Sequence, residues 1–140
     1  MNIKDERALS KALRPSIYST VLAVETGSTA TGLPDLLVLG TRAIWVELKV
    51  DTLLRTSQLN RINELIRAGE WVVLVRYNRK TDSVSMANLN DARVFPMFAA
   101  LVAGEKRMSR QTFDALFVDA KEYTIRECGW QLTTYVLGDI

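Results

Sequence analysis

The sequence predicts one α/β domain over residues 1–140, in which helices flank a mixed central sheet. The length suits a single core, since domains commonly hold about 100–200 residues. The order helix, hairpin, helix, strand, helices is typical of an α/β layer with a mixed sheet. We expect a core of about 1–87 and a C-terminal helical extension of about 88–140. The strand-like apolar segments that support this class are 36–39, 43–50 and 71–75.

The first elements are a helix and an ambiguous segment. Apolar residues recur at helical spacing over Glu6–Leu13 and predict a helix, and Pro15 either ends it or begins a second short helix. The periodicity of residues 17–24 fits a strand or a helix, so both stay open. Residues 26–32 are small and polar, which predicts a loop.

The middle of the chain alternates strands with a helix. Residues 35–50 predict a β-hairpin, and 71–75 predict a strand that is apolar on both faces and therefore central. Between them a helix is predicted, because its apolar residues fall on one stripe: Leu59, Ile62, Leu65 and Ile66. Thr56 or Ser57 can cap its start, and Gly69 marks its end.

The last third of the chain is less distinct. A weak strand is predicted at 83–87. Helical patterns follow at 90–104 and 109–122. The alternation at 130–137 fits either a last strand or a helix.

The chain contains no histidine and one cysteine, Cys128. Without histidine it can build no Ser-His-Asp or Cys-His catalytic set, no histidine-metal nuclease site and no zinc site of the usual kind. A lone cysteine excludes an intrachain disulfide. Any chemistry must therefore use carboxylates, Lys, Arg, Ser, Thr or Tyr, with a hard metal ion bound through oxygen.

The charge is unevenly distributed along the chain. Residues 1–80 hold 12 basic and 8 acidic residues, whereas 81–140 hold 6 and 8. The excess of basic residues in the first part of the chain fits a polyanion partner or an ordinary solvated helix face. No apolar run approaches the roughly 18 residues that span a bilayer, and no signal-peptide core follows the charged first residues. We therefore expect no membrane partner and a cytoplasmic location.

Three ionisable residues lie on the predicted hairpin. Successive strand side chains alternate between faces, so Glu47 and Lys49 project together. Asp35 begins the partner strand, and the hairpin can bring it beside them at one end of the sheet. An isolated Glu-x-Lys pair is usually a solvent-facing ion pair. Ionisable groups between strands this apolar are costly unless they are paired or metal-bound.

This trio can support metal-assisted hydrolysis. Asp35 and Glu47 can supply oxygen ligands to Mg²⁺, with Mn²⁺ as a substitute, and the backbone carbonyl of Leu48 can supply another. A bound metal lowers the pKa of water and neutralises charge that develops on phosphorus. Lys49 can orient the attacking water or stabilise the transition state.

Further residues stand in register with the trio. They are Gly32, Pro34, Gln58, and Ala68-Gly69 before a strand of valines. Over about half of the chain, from Glu6 to Val75, this pattern resembles the PD-(D/E)XK nuclease superfamily, and more closely its VRR-NUC branch. The resemblance implies a restriction-endonuclease-like core.

The resemblance also implies roles for individual residues. Asp35 and Glu47 would bind the divalent metal, Lys49 would assist the attacking water, and Gln58 would border the site. Gln58 heads the inward stripe of its helix, although it could instead satisfy backbone groups of the first turn. Family members often place an acidic residue in the first helix, where Asp5 and Glu6 are both available. We favour Glu6 as an additional metal ligand, and Glu25 near the loop is another candidate.

The function implied is a metal-dependent, structure-selective DNA endonuclease that hydrolyses phosphodiester bonds. Stand-alone relatives of bacterial or phage type resemble Holliday-junction resolvases, so the expected partners are branched DNA and a second copy of the chain. The expected location is then the cytoplasm of a bacterium or a phage-infected cell. Alternatives are a flap, fork or restriction-type nuclease of the same fold, or a non-catalytic DNA-binding or interaction module. The predicted phosphate contacts are Ser28, Thr29, Thr31, Arg55 and Arg61.

Overall fold

A mixed sheet of six strands with helices on both faces organises the chain in the computed structural model, which describes residues 3–24, 32–91 and 108–138. This confirms the predicted α/β class. In chain order the elements are α1 (Glu6–Leu13), β1 (Thr20–Ala23), β2 (Leu36–Leu39), β3 (Ala43–Val50), α2 (Thr56–Arg67), β4 (Trp71–Asn78), β5 (Ser83–Asn88), α3 (Arg110–Ala115), β6 (Glu122–Tyr123) and α4 (Ile125–Leu137). A short 3-10 helix at Arg14–Ser16 follows α1 directly, so Pro15 lies in a second short helix, as one of its two predicted roles has it.

Strand order in the sheet follows the sequence from β1 to β6. β2 and β3 form the predicted hairpin, with Leu36 opposite Val46. β3 and β4 are parallel because α2 connects them as a crossover, and the other described neighbours are antiparallel. β4 therefore lies inside the sheet, as its two apolar faces predicted.

Each face of the sheet is covered by its own helices. One core holds Val46 and Leu48 of β3 with α1 and α4, and the other holds Leu74 of β4 with α2 and α3. Side chains alternate between the faces of a strand, so Glu47 and Lys49 lie on the α2 side. The buried residues of α4 include Cys128 and belong to the same core as α1.

The structure corrects two predicted boundaries and the predicted character of the C-terminal extension. The helix predicted at 109–122 ends at Ala115, where the backbone changes to turns with i→i−3 hydrogen bonds, and Glu122 and Tyr123 pair with β5 as β6. The C-terminal extension is therefore not purely helical. In α2 the N-cap position is held by Arg55, one residue before the predicted caps.

The structure also resolves the two segments whose periodicity fitted both a strand and a helix. Within residues 17–24 the strand β1 forms, and residues 130–137 belong to α4. α4 begins at a capping box in which Thr124 and Glu127 exchange hydrogen bonds. The helix predicted at 90–104 lies outside the described residues, apart from its first two positions. Among the residues described, no helix has the length and apolar character needed to cross a membrane.

Candidate active site

The structure brings Asp35, Glu47 and Lys49 together at one end of the sheet. Because Leu36 pairs with Val46, Asp35 stands beside Glu47 at the point where the β2–β3 ladder ends. The Asp35 carboxylate accepts a hydrogen bond from the backbone N–H of Leu48, with Oδ2 2.9 Å from the nitrogen. This bond anchors Asp35 to β3, and the predicted juxtaposition of the trio is confirmed.

Gln58 joins Glu47 and Lys49 into a closed hydrogen-bonded network. Its Nε2 donates to Glu47 Oε2 at 2.8 Å, and its Oε1 accepts from Lys49 Nζ at 2.9 Å. Lys49 Nζ lies 3.5 Å from Glu47 Oε2, which completes the triangle. All three side chains are buried, Glu47 with only 1% of its surface exposed. The network therefore holds a charged amine in a fixed position inside the protein.

Glu47 retains one unsatisfied oxygen. Among the described residues, Oε1 is buried and has no hydrogen-bond partner. Burial, together with the like charge of Asp35, raises the pKa of Glu47 from 4.5 to about 8. An unpaired buried polar atom costs free energy, so this oxygen is suited to a positively charged group that would offset the cost.

Asp35 experiences the same environment to a lesser degree. Burial raises the pKa of its carboxyl, and the hydrogen bond from Leu48 and the charge of Lys49 oppose that effect. Two neighbouring carboxyls with raised pKa values repel each other when both are ionised. A divalent cation between them would relieve this repulsion.

The start of α2 positions Gln58. Besides its contacts with the trio, Gln58 Oε1 accepts the backbone N–H of Arg55 at 2.9 Å. Both interpretations of this residue are therefore correct, since it borders the site and also caps the first turn. Gly32 packs against the same turn with φ +75°, and a Cβ at this position would lie 2.1 Å from the carbonyl oxygen of Ser57. Only glycine fits here without displacing α2.

These residues line an open cleft of about 370 Å³, called here the carboxylate cleft. Leu48 also borders it, although the Leu48 side chain is fully buried in the core. The main chain of Leu48 therefore reaches the cleft, which is what the predicted carbonyl ligand requires. The polar and charged side chains that line the carboxylate cleft are Glu6, Asp35, Glu47, Lys49, Thr52 and Gln58, joined by Arg55 at its edge.

Glu6 reaches this cleft from α1, as predicted. Its Oε1 accepts a hydrogen bond from the hydroxyl of Thr52. Among residues 3–24, 32–91 and 108–138, no three acidic or cysteine side chains form a metal-binding group. The acidic pair at the centre of the cleft is Asp35 and Glu47, and the role of Glu6 as an additional ligand stays a prediction. Glu25, the other candidate, lies outside the described residues.

The predicted phosphate contacts are only partly brought to the cleft. Arg55 is exposed at its edge. Arg61 is not among the cleft residues and instead pairs with Glu64 of α2 at 3.1 Å. Ser28, Thr29 and Thr31 lie outside the described residues.

Sequence reasoning missed several residues near the site. Thr52 lines the carboxylate cleft through the β3–α2 connection, whose path has no periodic signal. Arg7, Lys11 and Arg14 line a neighbouring cleft along α1. Their spacing at i, i+4 and i+7 marks one helix face, and this signal was available in the sequence.

No protein-family model matches the chain, and no curated protein matches it. The interpretation of the site therefore depends on its geometry and chemistry.

Proposed function

We propose that the chain is a metal-dependent DNA endonuclease with a restriction-endonuclease-like core of the PD-(D/E)XK type. The observation that carries this proposal is the buried Oε1 of Glu47, which has no hydrogen-bond partner among the described residues and belongs to a carboxyl beside Asp35. A carboxyl that only stabilises the fold would have its oxygens paired. One that binds a cation keeps an oxygen open.

The donors fit Mg²⁺, and Mn²⁺ as a substitute. Magnesium is commonly held by one or two carboxylates, with waters and substrate phosphate completing its coordination. Here Asp35, Glu47 and the main-chain carbonyl of Leu48 would hold it. When bound, the ion supplies charge neutralisation at the phosphate and increases the acidity of water.

The remaining residues of the site act through position and charge. Lys49 Nζ, held at 2.9 Å by Gln58, is a fixed cation that can stabilise an anionic phosphate or orient the attacking water. Gln58 also donates to Glu47 Oε2, which leaves Oε1 open for the metal ion. Gln58 is thus a positioning residue for both neighbours. None of these roles requires a histidine.

Branched DNA is the substrate that the sequence resemblance suggests. We propose a homodimer, because two-fold symmetry offers two cuts on a four-way junction. The proposed setting is the cytoplasm of a bacterium or a phage-infected cell, where a buried thiol such as Cys128 stays reduced.

The test is a cleavage panel with end-labelled four-way junction, flap, fork and linear duplex DNA. Mg²⁺, Mn²⁺ or EDTA is added to the wild-type chain and to Asp35→Asn and Glu47→Gln. We expect metal-dependent cleavage by the wild type, fastest on a branched substrate, and a loss of at least about 100-fold in either variant, since each removes a carboxylate that would bind the metal. Asn60→Ala, an exposed position of α2, is the matched control and should cut normally.

Three outcomes would contradict parts of this proposal. Full activity in both carboxylate variants would refute the assignment of the metal site. Cleavage fastest on flap, fork or linear DNA would retain the chemistry and replace the substrate. DNA binding without cleavage in either metal would favour a non-catalytic binding module.

A further inference from the structure

A row of cations lies on the exposed face of α1. Arg7, Lys11 and Arg14 are all exposed, whereas Leu9 and Leu13 bury the opposite face of the helix. The three cations form no ion pair with any residue that the structure describes. Their charge is therefore not neutralised within the described part of the fold.

The cationic row lines a cleft of about 590 Å³ between α1 and the end of β1, called here the α1 cleft. Ser10 adds a hydroxyl to the same helix face. At one end the α1 cleft is bordered by Glu6 and Asp35, which also line the carboxylate cleft. The two clefts are thus adjacent, with acidic side chains where they meet and basic ones along α1.

We infer that the α1 cleft is a binding track for the phosphodiester backbone of the DNA strand that leads away from the carboxylate cleft. In this track Arg7, Lys11 and Arg14 contact phosphates. The inference rests on the proposed function for the identity of the polymer. Its own evidence is the cationic row and the continuity of the α1 cleft with the carboxylate cleft through Glu6 and Asp35.

The dimensions of α1 suit such a strand. A helix rises about 1.5 Å per residue, so Arg7 and Arg14 are separated by about 10 Å along the axis. In B-DNA each strand carries one charge per about 3.4 Å of axis, so this distance covers about three phosphates. Arg and Lys side chains are long enough to adapt to the exact path of the backbone.

The arrangement of charge also separates two tasks. Phosphate contacts position a nucleic acid, whereas chemistry needs a local site for the reacting group. An acidic pair alone would repel DNA in the absence of a metal ion. Basic side chains next to it would keep the strand bound and in register.

The test measures DNA binding by fluorescence anisotropy at a series of KCl concentrations, with Ca²⁺ in place of Mg²⁺. The probes are a labelled four-way junction and a labelled duplex of the same sequence. The variant is the triple substitution Arg7→Gln, Lys11→Gln and Arg14→Gln. We expect the slope of log K against log[salt] to become shallower by about 2–3, because each lost phosphate contact removes about 0.9 from it.

The matched control is the triple substitution Arg110→Gln, Lys121→Gln and Arg126→Gln. It removes the same charge from exposed positions at the start of α3, beside β6 and at the start of α4, and should leave the slope near that of the wild type. Thermal unfolding of both variants checks that the fold is intact.

The outcomes separate the track from the proposed function. If the wild type cleaves DNA and the α1 variant binds it with unchanged affinity and slope, the track is wrong and the nuclease stands. If the slope of the α1 variant becomes shallower as expected but the wild type never cleaves DNA, the track stands and the nuclease fails. Equal losses in both triple variants would show only a general charge effect and would overturn the track. A wild type that binds neither DNA would overturn both proposals.

Discussion

Replacing Glu47 with glutamine should stabilise the metal-free protein while it removes the proposed activity. Glu47→Gln keeps the shape of the side chain and removes its ionisable group. The amide oxygen can accept the hydrogen bond from Gln58 that Oε2 accepts now at 2.8 Å. The amide nitrogen then takes the place of Oε1, which has no hydrogen-bond partner among the described residues.

The magnitude follows from the pKa of Glu47, which burial and the nearby charge of Asp35 raise from 4.5 to about 8. The folded protein holds a proton that the unfolded chain releases above pH 4.5, so stability falls as pH rises from about 4.5 to about 8. At pH 7 this lowers the free energy of unfolding by about 3 kcal/mol, since each pH unit above 4.5 costs about 1.4 kcal/mol. Glutamine does not carry this cost, and its advantage should vanish below pH 4.5.

The assay is thermal and urea unfolding of both proteins in EDTA between pH 4.5 and 8.5. At pH 7 we expect the midpoint of Glu47→Gln to lie roughly 10 °C higher. Added Mg²⁺ should stabilise the wild type and not the variant. The control is Glu127→Gln, where hydrogen bonds from Thr124 lower the pKa of the carboxyl, so removing its charge should weaken stability above its pKa. A variant no more stable than wild type at pH 8, or an advantage independent of pH, would refute the reasoning.

Three further predictions concern the surroundings of the site. Gly32→Ala should lower the free energy of unfolding by about 3 kcal/mol in urea, because its Cβ would meet the backbone of α2 at 2.1 Å. The control Gly69→Ala has φ +87° and nothing within 4 Å of the added Cβ, so it should cost only about 1 kcal/mol. Equal losses in the two variants would contradict the close contact at Gly32. Gln58→Ala should lower the rate of DNA cleavage about 10–100-fold at saturating Mg²⁺ with little change in DNA affinity, whereas Asn60→Ala should cut at the wild-type rate. An unchanged rate in Gln58→Ala would refute the positioning role of Gln58. Burial raises the pKa of Cys128 to about 12, so a disulfide reagent at pH 8 should label this thiol only as urea unfolds the chain, and rapid labelling of the native protein would contradict the packing of α4.

The sequence predicts the centre of the site well because strand periodicity is short-range and strict. A hairpin with a tight turn determines its own register, and a register shift of one residue would turn Glu47 and Lys49 to the wrong face. The position of Asp35 beside Glu47 follows from the same register. Gln58 was predictable because the apolar stripe of α2 defines which side of the helix faces the sheet.

Other parts depend on contacts that no local pattern encodes. β6 contains only Glu122 and Tyr123, and it exists because Tyr123 pairs with Val84 of β5. A strand of two residues is too short to show a periodicity of its own. The helix predicted at 109–122 therefore extended into it. The placement of Thr52 against Glu6 depends on where α1 meets the β3–α2 connection. Such tertiary contacts lie beyond what spacing alone can predict.

The topology explains why one short region carries so many functional groups. β3 must bury Val46 and Leu48 against α1 and α4, and alternation then turns Glu47 and Lys49 toward α2. Because β3 and β4 are parallel, a crossover helix has to begin just beyond the end of β3, and its first turn brings Gln58 to these side chains. The parallel pair therefore positions the amide that fixes Lys49 and leaves Glu47 Oε1 open. A substitution that shifts the start of α2 should impair the site even when every charged group is kept.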